Sequence, residues 1–247
     1  MWNRLAVRWV GECVNLYIFI KVEIIQNNSK STILEACKAN GVRLAIDIFK
    51  DFKQSKNFEE VCSLFLSVAV ILDRADIIQL LLDEGVNINH EDEYGYTCMF
   101  NALLSKEMVN FLIDNGADHS HKNHAGDQPL FGVLEWGSYD AANELLKRGA
   151  SVNEPGKDQK IALHHAAGIS DKKLLKKLAA KTKEINHQSE FSETALFNAV
   201  VYRNVDLVRI LAKFGVDVSV KNSKGYTALD LAVACNADRC KEILSSI

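Results

Sequence analysis

The chain has 247 residues, a formal net charge of −3 at pH 7 and 48% hydrophobic residues. This length fits one large domain or two small ones. The small net charge disfavours a general polyanion binder, and the apolar content excludes a disordered chain. Six cysteines are too few for a disulfide scaffold. Together these values predict a folded, soluble, intracellular protein with reduced thiols.

Residues 1–25 are unusually apolar, but charged side chains interrupt them. The longest uncharged run is the eight residues Cys13–Ile20, whereas a membrane-spanning helix needs about 20. No Ala-x-Ala-like cleavage site follows this run, so a secretory signal is also disfavoured. We interpret residues 1–25 as a packed cap or an ill-defined leader of unknown role, with a membrane anchor or signal as the alternative.

One short pattern recurs along the chain at intervals of 31, 33, 33 and 33 residues. Its copies are Gly95–Met99, Gly126–Leu130, Gln159–Leu163, Ser192–Leu196 and Gly225–Leu229. A second series in the same register consists of Gly85, Gly116, Gly149 and Gly215. Two independent marks that share one period indicate an internal repeat.

Each repeat follows the same order of elements. A turn precedes a short apolar helix, as at Leu163 and Ala166, and a polar break leads to a second helix, as at Leu207 and Leu211. The second helix ends at a glycine, the usual left-handed helix stop. Helices of about eight residues are unstable alone. They are therefore expected to stack on neighbouring repeats and bury their single apolar faces there.

These residues resemble the ankyrin repeat, whose motif Gly-x-Thr-Pro-Leu-His-x-Ala-Ala is most nearly matched by Leu163–Ala167. The resemblance implies an all-α repeat fold, an ankyrin-type α-solenoid of helix-turn-helix units with β-hairpin fingers. It also implies a motif threonine that fixes each turn through hydrogen bonds to the backbone and to the motif histidine. That threonine is present as Thr97, Thr194 and Thr227, and is replaced by Leu64, Gln128 and Ile161.

The period sets the expected boundaries of the ankyrin-repeat domain at 26–247, after the leader at 1–25. The expected repeats are 26–58, 59–91, 92–122, 123–155, 156–188, 189–221 and a shortened 222–247. The resemblance is strong over 59–247 and weaker over 26–58. Repeat 156–188 departs most from the pattern, because Gln159 and Thr182 stand where glycine is usual.

Sequence motifs for catalysis and metal binding are missing. The chain has no phosphate-binding loop, dinucleotide fingerprint, serine-hydrolase elbow or zinc-protease motif. His119, His121 and His124 lack the spacing of a zinc site. The motif assigns His164 to turn support, and His165 beside it is expected to face solvent. We therefore expect no enzyme activity, no metal and no cofactor.

Four aromatic residues are candidate partner contacts. Trp136 and Tyr202 occupy the same position in repeats 66 residues apart, at the end of the first helix. In the ankyrin family that position faces the concave groove. Tyr96 and Tyr226 share a position next to the fingers. Exposed tyrosine and tryptophan supply many binding hot spots, and packing against the adjacent repeat is the alternative.

Charged and amide side chains provide the remaining candidates. Glu91, Asp92 and Glu93 form an acidic finger that could steer a basic partner or simply keep a loop soluble. The lysines between 172 and 183 are interpreted as a solvated face, with an acidic partner or anionic lipid as the alternative. Asn89 and Asn153 resemble the sites that asparaginyl hydroxylases modify on ankyrin proteins, and a structural role in the hairpin is the alternative.

Taken together, the residues and the resemblance predict a non-catalytic scaffold or adaptor that binds a protein partner through its groove and fingers. We expect a monomer in the cytoplasm, or in the nucleus, with no nucleic-acid partner and no membrane partner. Two alternatives stay open: a membrane-tethered adaptor that uses residues 1–25, and an ankyrin-type regulatory inhibitor or host-directed effector.

Overall fold

The computed structural model describes residues 33, 37–38, 42–53, 58–102 and 105–247. The leader at 1–25 and most of the first expected repeat lie outside these residues. The described helices are α1 Val42–Phe52, α2 Phe58–Ile71, α3 Ala75–Asp83, α4 Lys106–Asp114, α5 Pro129–Glu135, α6 Tyr139–Lys147, α7 Ala162–His165, α8 Lys172–Lys181, α9 Ala195–Val201, α10 Val205–Lys213, α11 Ala228–Ala234 and α12 Asp238–Leu244. Short 3-10 turns span Cys98–Asn101, Lys157–Gln159 and Ala166–Gly168.

The described residues form two compact units. The first unit consists of the described residues within Met1–Ala102 and of Asn110–Ala117. The second unit consists of the described residues within Leu103–Val109 and of Asp118–Ile247. Within the first unit, α2 packs on α3 and on the 3-10 turn Cys98–Asn101. Within the second unit, the first helices of successive repeats pack in the order α5, α7, α9, α11, and the second helices in the order α8, α10, α12. The predicted all-α repeat fold is confirmed.

Equivalent leucines build the core between repeats. Leu130, Leu163 and Leu196, which lie 33 residues apart, are at most 1% exposed. Full burial of a leucine side chain stabilises a fold by about 1.5–3 kcal/mol. Because each helix contributes only one apolar face, most of this burial exists only when consecutive repeats stack.

The predicted fingers are closed turns rather than paired strands. At each finger, the backbone N–H of one residue donates to the carbonyl oxygen of the residue four positions later. The donors are Asp92, Asn123, Gly156, Ser189 and Asn222. In the described part of the chain the β-structure consists of one isolated antiparallel bridge between Lys221 and Thr227. Expected β-hairpins are thus reduced to hydrogen-bonded turns.

Side chains close four of these turns. In each of these four turns, one side-chain oxygen accepts two further backbone N–H groups. The residues that supply this oxygen are Asp92, Asn123, Ser189 and Asn222. Gly156 has no side chain to do so. There, Oδ1 of Asp127 accepts the N–H of Lys157 at 2.8 Å. The side-chain hydrogen bond to this finger therefore comes from the preceding repeat.

The expected role of the motif threonine holds at one position only. Thr227 donates its hydroxyl to Asp230 Oδ2 at 2.7 Å and accepts the Asp230 N–H at 3.2 Å. The buried hydroxyls of Thr97 and Thr194 have no hydrogen-bond partner among the described residues. The expectation was wrong for these two, because phenylalanine stands three residues after each of them, where Thr227 finds Asp230.

No motif turn forms at Leu64, where the pattern predicts one, because Leu64 lies within the 14-residue helix α2. Repeat 156–188 lacks glycine at two positions where the repeat pattern usually has it, and the backbone differs between them. Gln159 adopts the left-handed backbone with φ 58°, whereas Thr182 has φ −76° and donates its hydroxyl to the Leu178 carbonyl.

Ser192 and Gly225 occupy equivalent left-handed positions, with φ of 58° and 83°. Ser192→Gly is expected to raise the free energy of unfolding by about 0.5 kcal/mol, because relief of left-handed strain exceeds the added flexibility of glycine. Gly225→Ser is expected to lower it by about 1 kcal/mol, since the site is strained but sterically open. Urea denaturation of both variants provides the measurement, and shifts of the same sign would contradict the assignment.

Candidate functional site

Trp136 and Tyr202 line one cleft in the second compact unit, called the aromatic cleft below. They follow α5 and α9 directly and have nearly the same backbone conformation. The Tyr202 side chain is 65% exposed, and Trp136 is half-buried. The cleft has a volume of about 380 Å³ and its lining includes Glu135, Trp136, Lys160, His165, Asn198 and Tyr202.

The repeat between the two aromatic residues creates the depression. Its first helix, α7, spans only four residues before the 3-10 turn Ala166–Gly168. Ile169 occupies the position equivalent to Trp136 and Tyr202, but it is buried at 1% exposure. The neighbouring lining residues, Ala167 and Gly168, are small. A small-residue segment between two aromatic side chains therefore leaves room for a guest.

His164 supports its own turn, as its motif position predicted, and it also links two repeats. Its Nδ1 accepts the Ile161 N–H at 3.3 Å, and its Nε2 lies 3.1 Å from the Glu193 carbonyl oxygen. These contacts require the neutral ring with the proton on Nε2. Burial lowers the pKa of His164 to about 4, so this neutral form persists at physiological pH.

His165 does not face solvent as expected. Its side chain is 10% exposed, and its ring stacks on Phe131 with a centroid distance of 4.4 Å. Nδ1 lies 2.7 Å from Glu135 Oε1, whereas the buried Nε2 has no hydrogen-bond partner among the described residues. The expectation failed because the neighbouring repeat supplies both the stacking ring and the carboxylate.

A second cleft, called the acidic cleft below, lies in the first compact unit. It has a volume of about 640 Å³ between the start of α2 and the finger 87–94. His90, Tyr94 and five carboxylate residues line it. The carboxylate residues are Glu59, Glu60, Glu91, Asp92 and Glu93. The predicted acidic finger is thus one wall of a larger acidic surface. Glu59 and Glu60 extend it from a helix that is distant in sequence.

Tyr94 is a candidate that the sequence reasoning missed. Its side chain is 52% exposed in the acidic cleft. Phe191 occupies the same position in another finger and is 48% exposed. The presence of two aromatic residues at the same turn position was the sequence signal that could have identified both.

Of the predicted tyrosines, Tyr226 is 56% exposed, whereas Tyr96 is half-buried with its ring 5.0 Å from that of Phe100.

Asn89 and Asn153 tie consecutive repeats together. The Asn89 side chain donates to the Gly116 carbonyl oxygen at 3.0 Å, and Asn153 donates to the Lys181 carbonyl oxygen at 3.1 Å. Asn153 also accepts the Lys183 N–H at 2.8 Å. These contacts give both amides a structural role. Hydroxylation of Asn89 and Asn153 stays a prediction.

The cysteines and histidines form no metal cluster in the part of the chain that the structure describes. Of the five described cysteines, four are buried and Cys235 is half-exposed, and all are free thiols. Burial raises the pKa of Cys98 to about 12, which makes its thiol a poor nucleophile.

The lysine cluster lies mainly on the exposed face of α8, where Lys172 pairs with Asp206 at 3.0 Å. Lys177 is half-buried and donates to Asn143 Oδ1 at 3.1 Å. None of the described helices is both long and apolar enough to cross a membrane. The candidate leader at 1–25 lies outside the residues to which this statement applies.

Comparison with known proteins identifies the repeat. The family model of ankyrin repeats in three copies matches residues 66–156 and 163–246. Alpha-latrotoxin-Lg1a of Latrodectus geometricus is 28% identical over 150 residues, which are 60% of this chain and 9% of that protein. The B-cell lymphoma 3 protein homolog of Mus musculus is 25% identical over 222 residues, 86% of this chain and 47% of that protein. The chain thus spans less than half the length of either relative.

Two solved structures have a similar fold. One is a chain from the complex of the predatory endopeptidase Bd0816 of Bdellovibrio bacteriovorus with the immunity protein Bd3460. It has a TM-score of 0.64 and 31% identity, with 73% of this chain and 96% of that chain covered. The other is the ankyrin repeat domain of Bcl-3, with a TM-score of 0.65, 23% identity, and coverage of 87% and 97%. The second likeness concerns the fold alone.

The His164 contacts predict a pH-dependent stability. Its pKa is about 4 in the folded chain, against an ordinary value of 6.5. Between these values the unfolded chain binds more protons, so stability falls as the pH falls. When the pH falls from about 7 to about 5, the free energy of unfolding of the wild-type chain is expected to decrease by about 2 kcal/mol more than that of His164→Phe. Phenylalanine already occupies the equivalent position as Phe131 and Phe197.

Urea denaturation of both chains at the two pH values measures this difference. The comparison concerns the change with pH and not the absolute stability, because His164→Phe also removes two hydrogen bonds. Equal losses in the two chains would show that His164 is not held neutral by the fold.

Proposed function

The chain belongs to the ankyrin-repeat family, and we propose that it is a non-catalytic scaffold or adaptor that binds a protein partner. The aromatic cleft and the acidic finger are its proposed contact surfaces. The observation that carries this proposal is the convergence of Trp136 and Tyr202 on one cleft, from helices two repeats apart. Ankyrin-repeat domains are typically interaction modules without catalytic activity.

The physical basis of the proposed recognition is preorganisation. Trp136 and Tyr202 follow helices whose opposite faces are buried, so a partner meets aromatic side chains that are already positioned. Binding to a rigid site loses less conformational entropy than binding to a mobile loop. Tryptophan and tyrosine also offer large contact areas with a polar tip, which favours them at interfaces.

The acidic finger is the second proposed surface. Glu91, Asp92 and Glu93 line the acidic cleft with Glu59 and Glu60. Five carboxylates in one cleft create a negative potential that favours approach of a basic partner segment. Tyr94 adds an exposed aromatic contact to the same surface, and we propose Tyr226 as a further contact at its own finger.

A regulatory inhibitor is the second candidate function. It is supported by the likeness to a chain from a complex between an endopeptidase and an immunity protein. We propose a monomer in the cytoplasm or nucleus for either function, without a nucleic-acid partner. A membrane-tethered adaptor or a host-directed effector would be the alternative, and the proposed tether, residues 1–25, lies outside the described residues.

Trp136→Ala combined with Tyr202→Ala is expected to abolish capture of the protein partner, because the two residues supply the aromatic surface of the cleft. Quantitative affinity capture from the source cells, with wild-type and variant chains as bait, measures the loss. Circular dichroism melting shows whether the variant keeps the wild-type fold. Phe214→Ala is the matched control, because Phe214 is 43% exposed after α10 and outside the aromatic cleft. Unchanged capture by the double variant would contradict this site.

Glu91→Lys combined with Glu93→Lys is expected to slow association with the captured partner by at least about threefold at low salt. The reason is the loss of a negative field that attracts a basic segment. Stopped-flow or surface plasmon resonance kinetics at two salt concentrations provide the measurement. Asp47→Lys with Asp51→Lys, on the exposed face of α1, controls for net charge. Equal slowing by both pairs of substitutions would argue against a specific finger.

A further inference from the structure

The chemistry of the aromatic cleft narrows the kind of group it can bind. The cleft is bounded by Trp136 and Tyr202, with small residues of the middle repeat between them. Tyr202 carbons lie 3.8 Å from the position that a side-chain carbon on Gly168 would take. The Tyr202 ring therefore lies next to the small-residue segment of the cleft.

The polar lining of the cleft includes hydrogen-bond acceptors. Glu135 is 58% exposed, and one carboxylate oxygen holds His165 Nδ1 at 2.7 Å. The other ring nitrogen of His165, Nε2, is buried and has no hydrogen-bond partner among the described residues. An unpartnered polar atom at a cleft is the kind of feature that a bound group satisfies.

Asn198 adds a second acceptor. Its side-chain nitrogen donates to the His164 carbonyl oxygen at 3.1 Å, which fixes the amide and leaves Oδ1 as the acceptor. The opposing charge in the lining is Lys160, whose Nζ lies 3.7 Å from Asp158 Oδ2. The lining thus offers a carboxylate and an amide oxygen as acceptors, and Lys160 as its cationic donor.

We infer that the aromatic cleft binds the guanidinium group of an arginine in the partner protein. This inference rests on the proposed protein-binding function and specifies the partner chemistry at the same site. A guanidinium carries a positive charge, offers five N–H donors in a plane and stacks on aromatic rings. It therefore matches both the acceptors and the rings. An anionic guest would face the Glu135 carboxylate with Lys160 as its main donor.

The test uses the full chain and a displayed library of random peptides. We expect the selected peptides to share an arginine. In a synthetic peptide with the selected sequence, replacing that arginine with citrulline keeps the planar shape and removes the charge. This change is expected to weaken binding by about tenfold or more in isothermal titration calorimetry.

Variants of the chain locate the contact. Glu135→Gln and Tyr202→Ala are each expected to weaken binding of the arginine peptide by about tenfold and to have little effect on the citrulline peptide. Glu242→Gln, on the exposed face of α12, makes the same charge change away from the cleft and is expected to bind as wild type. Thermal melting by circular dichroism checks that each variant is folded.

The outcomes separate this inference from the proposed function. Selected peptides without arginine, equal binding of the citrulline peptide, or wild-type binding by Glu135→Gln would each overturn the arginine assignment. If the selected peptides nevertheless bind Tyr202→Ala more weakly than the wild-type chain, the aromatic cleft is still the binding site and only the arginine assignment is wrong. Selection of acidic peptides, or of no peptide, also overturns the assignment. Capture with the double aromatic variant then decides the proposed function independently.

Discussion

None of the described helices can bury its apolar face by itself, and this constraint governs the rest of the structure. The first helices of the repeats in the second unit have four to seven residues, well below the length at which an isolated helix is stable. Their leucines become buried only when consecutive repeats stack. The same stacking brings Asn153 and His164 into hydrogen bonds with residues 28 and 29 positions away. Side chains of one repeat are therefore positioned by the next.

Departures from the repeat pattern lie next to the proposed site. Repeat 156–188 has a first helix of only four residues and turns Ile169 into the core, where its neighbours present Trp136 and Tyr202. A regular sequence of large residues would fill the groove at this point. The irregular repeat leaves a cleft whose walls belong to regular repeats.

The two clefts differ in chemistry although the same architecture forms both. The acidic cleft presents five carboxylates and one exposed tyrosine, and suits long-range attraction of a basic segment. The aromatic cleft is smaller and combines aromatic rings with a His165–Glu135 pair, which suits a short-range contact with one side chain. Each lies within its own compact unit, and we propose basic partner residues for both.

The sequence by itself determined the all-α repeat fold, the glycine stops of the second helices and the equivalence of Trp136 with Tyr202, because these depend on local backbone preference and on periodicity. Only the tertiary structure decided exposure and pairing. Val200 is 0% exposed and Val233, one repeat later, is 52% exposed, because α9 packs between two helices of its own kind and α11 packs on only one. His165 and Glu135, 30 residues apart in sequence, meet because α7 packs on α5. A period records which positions are equivalent, but contacts between repeats depend on which residues occupy the neighbouring faces.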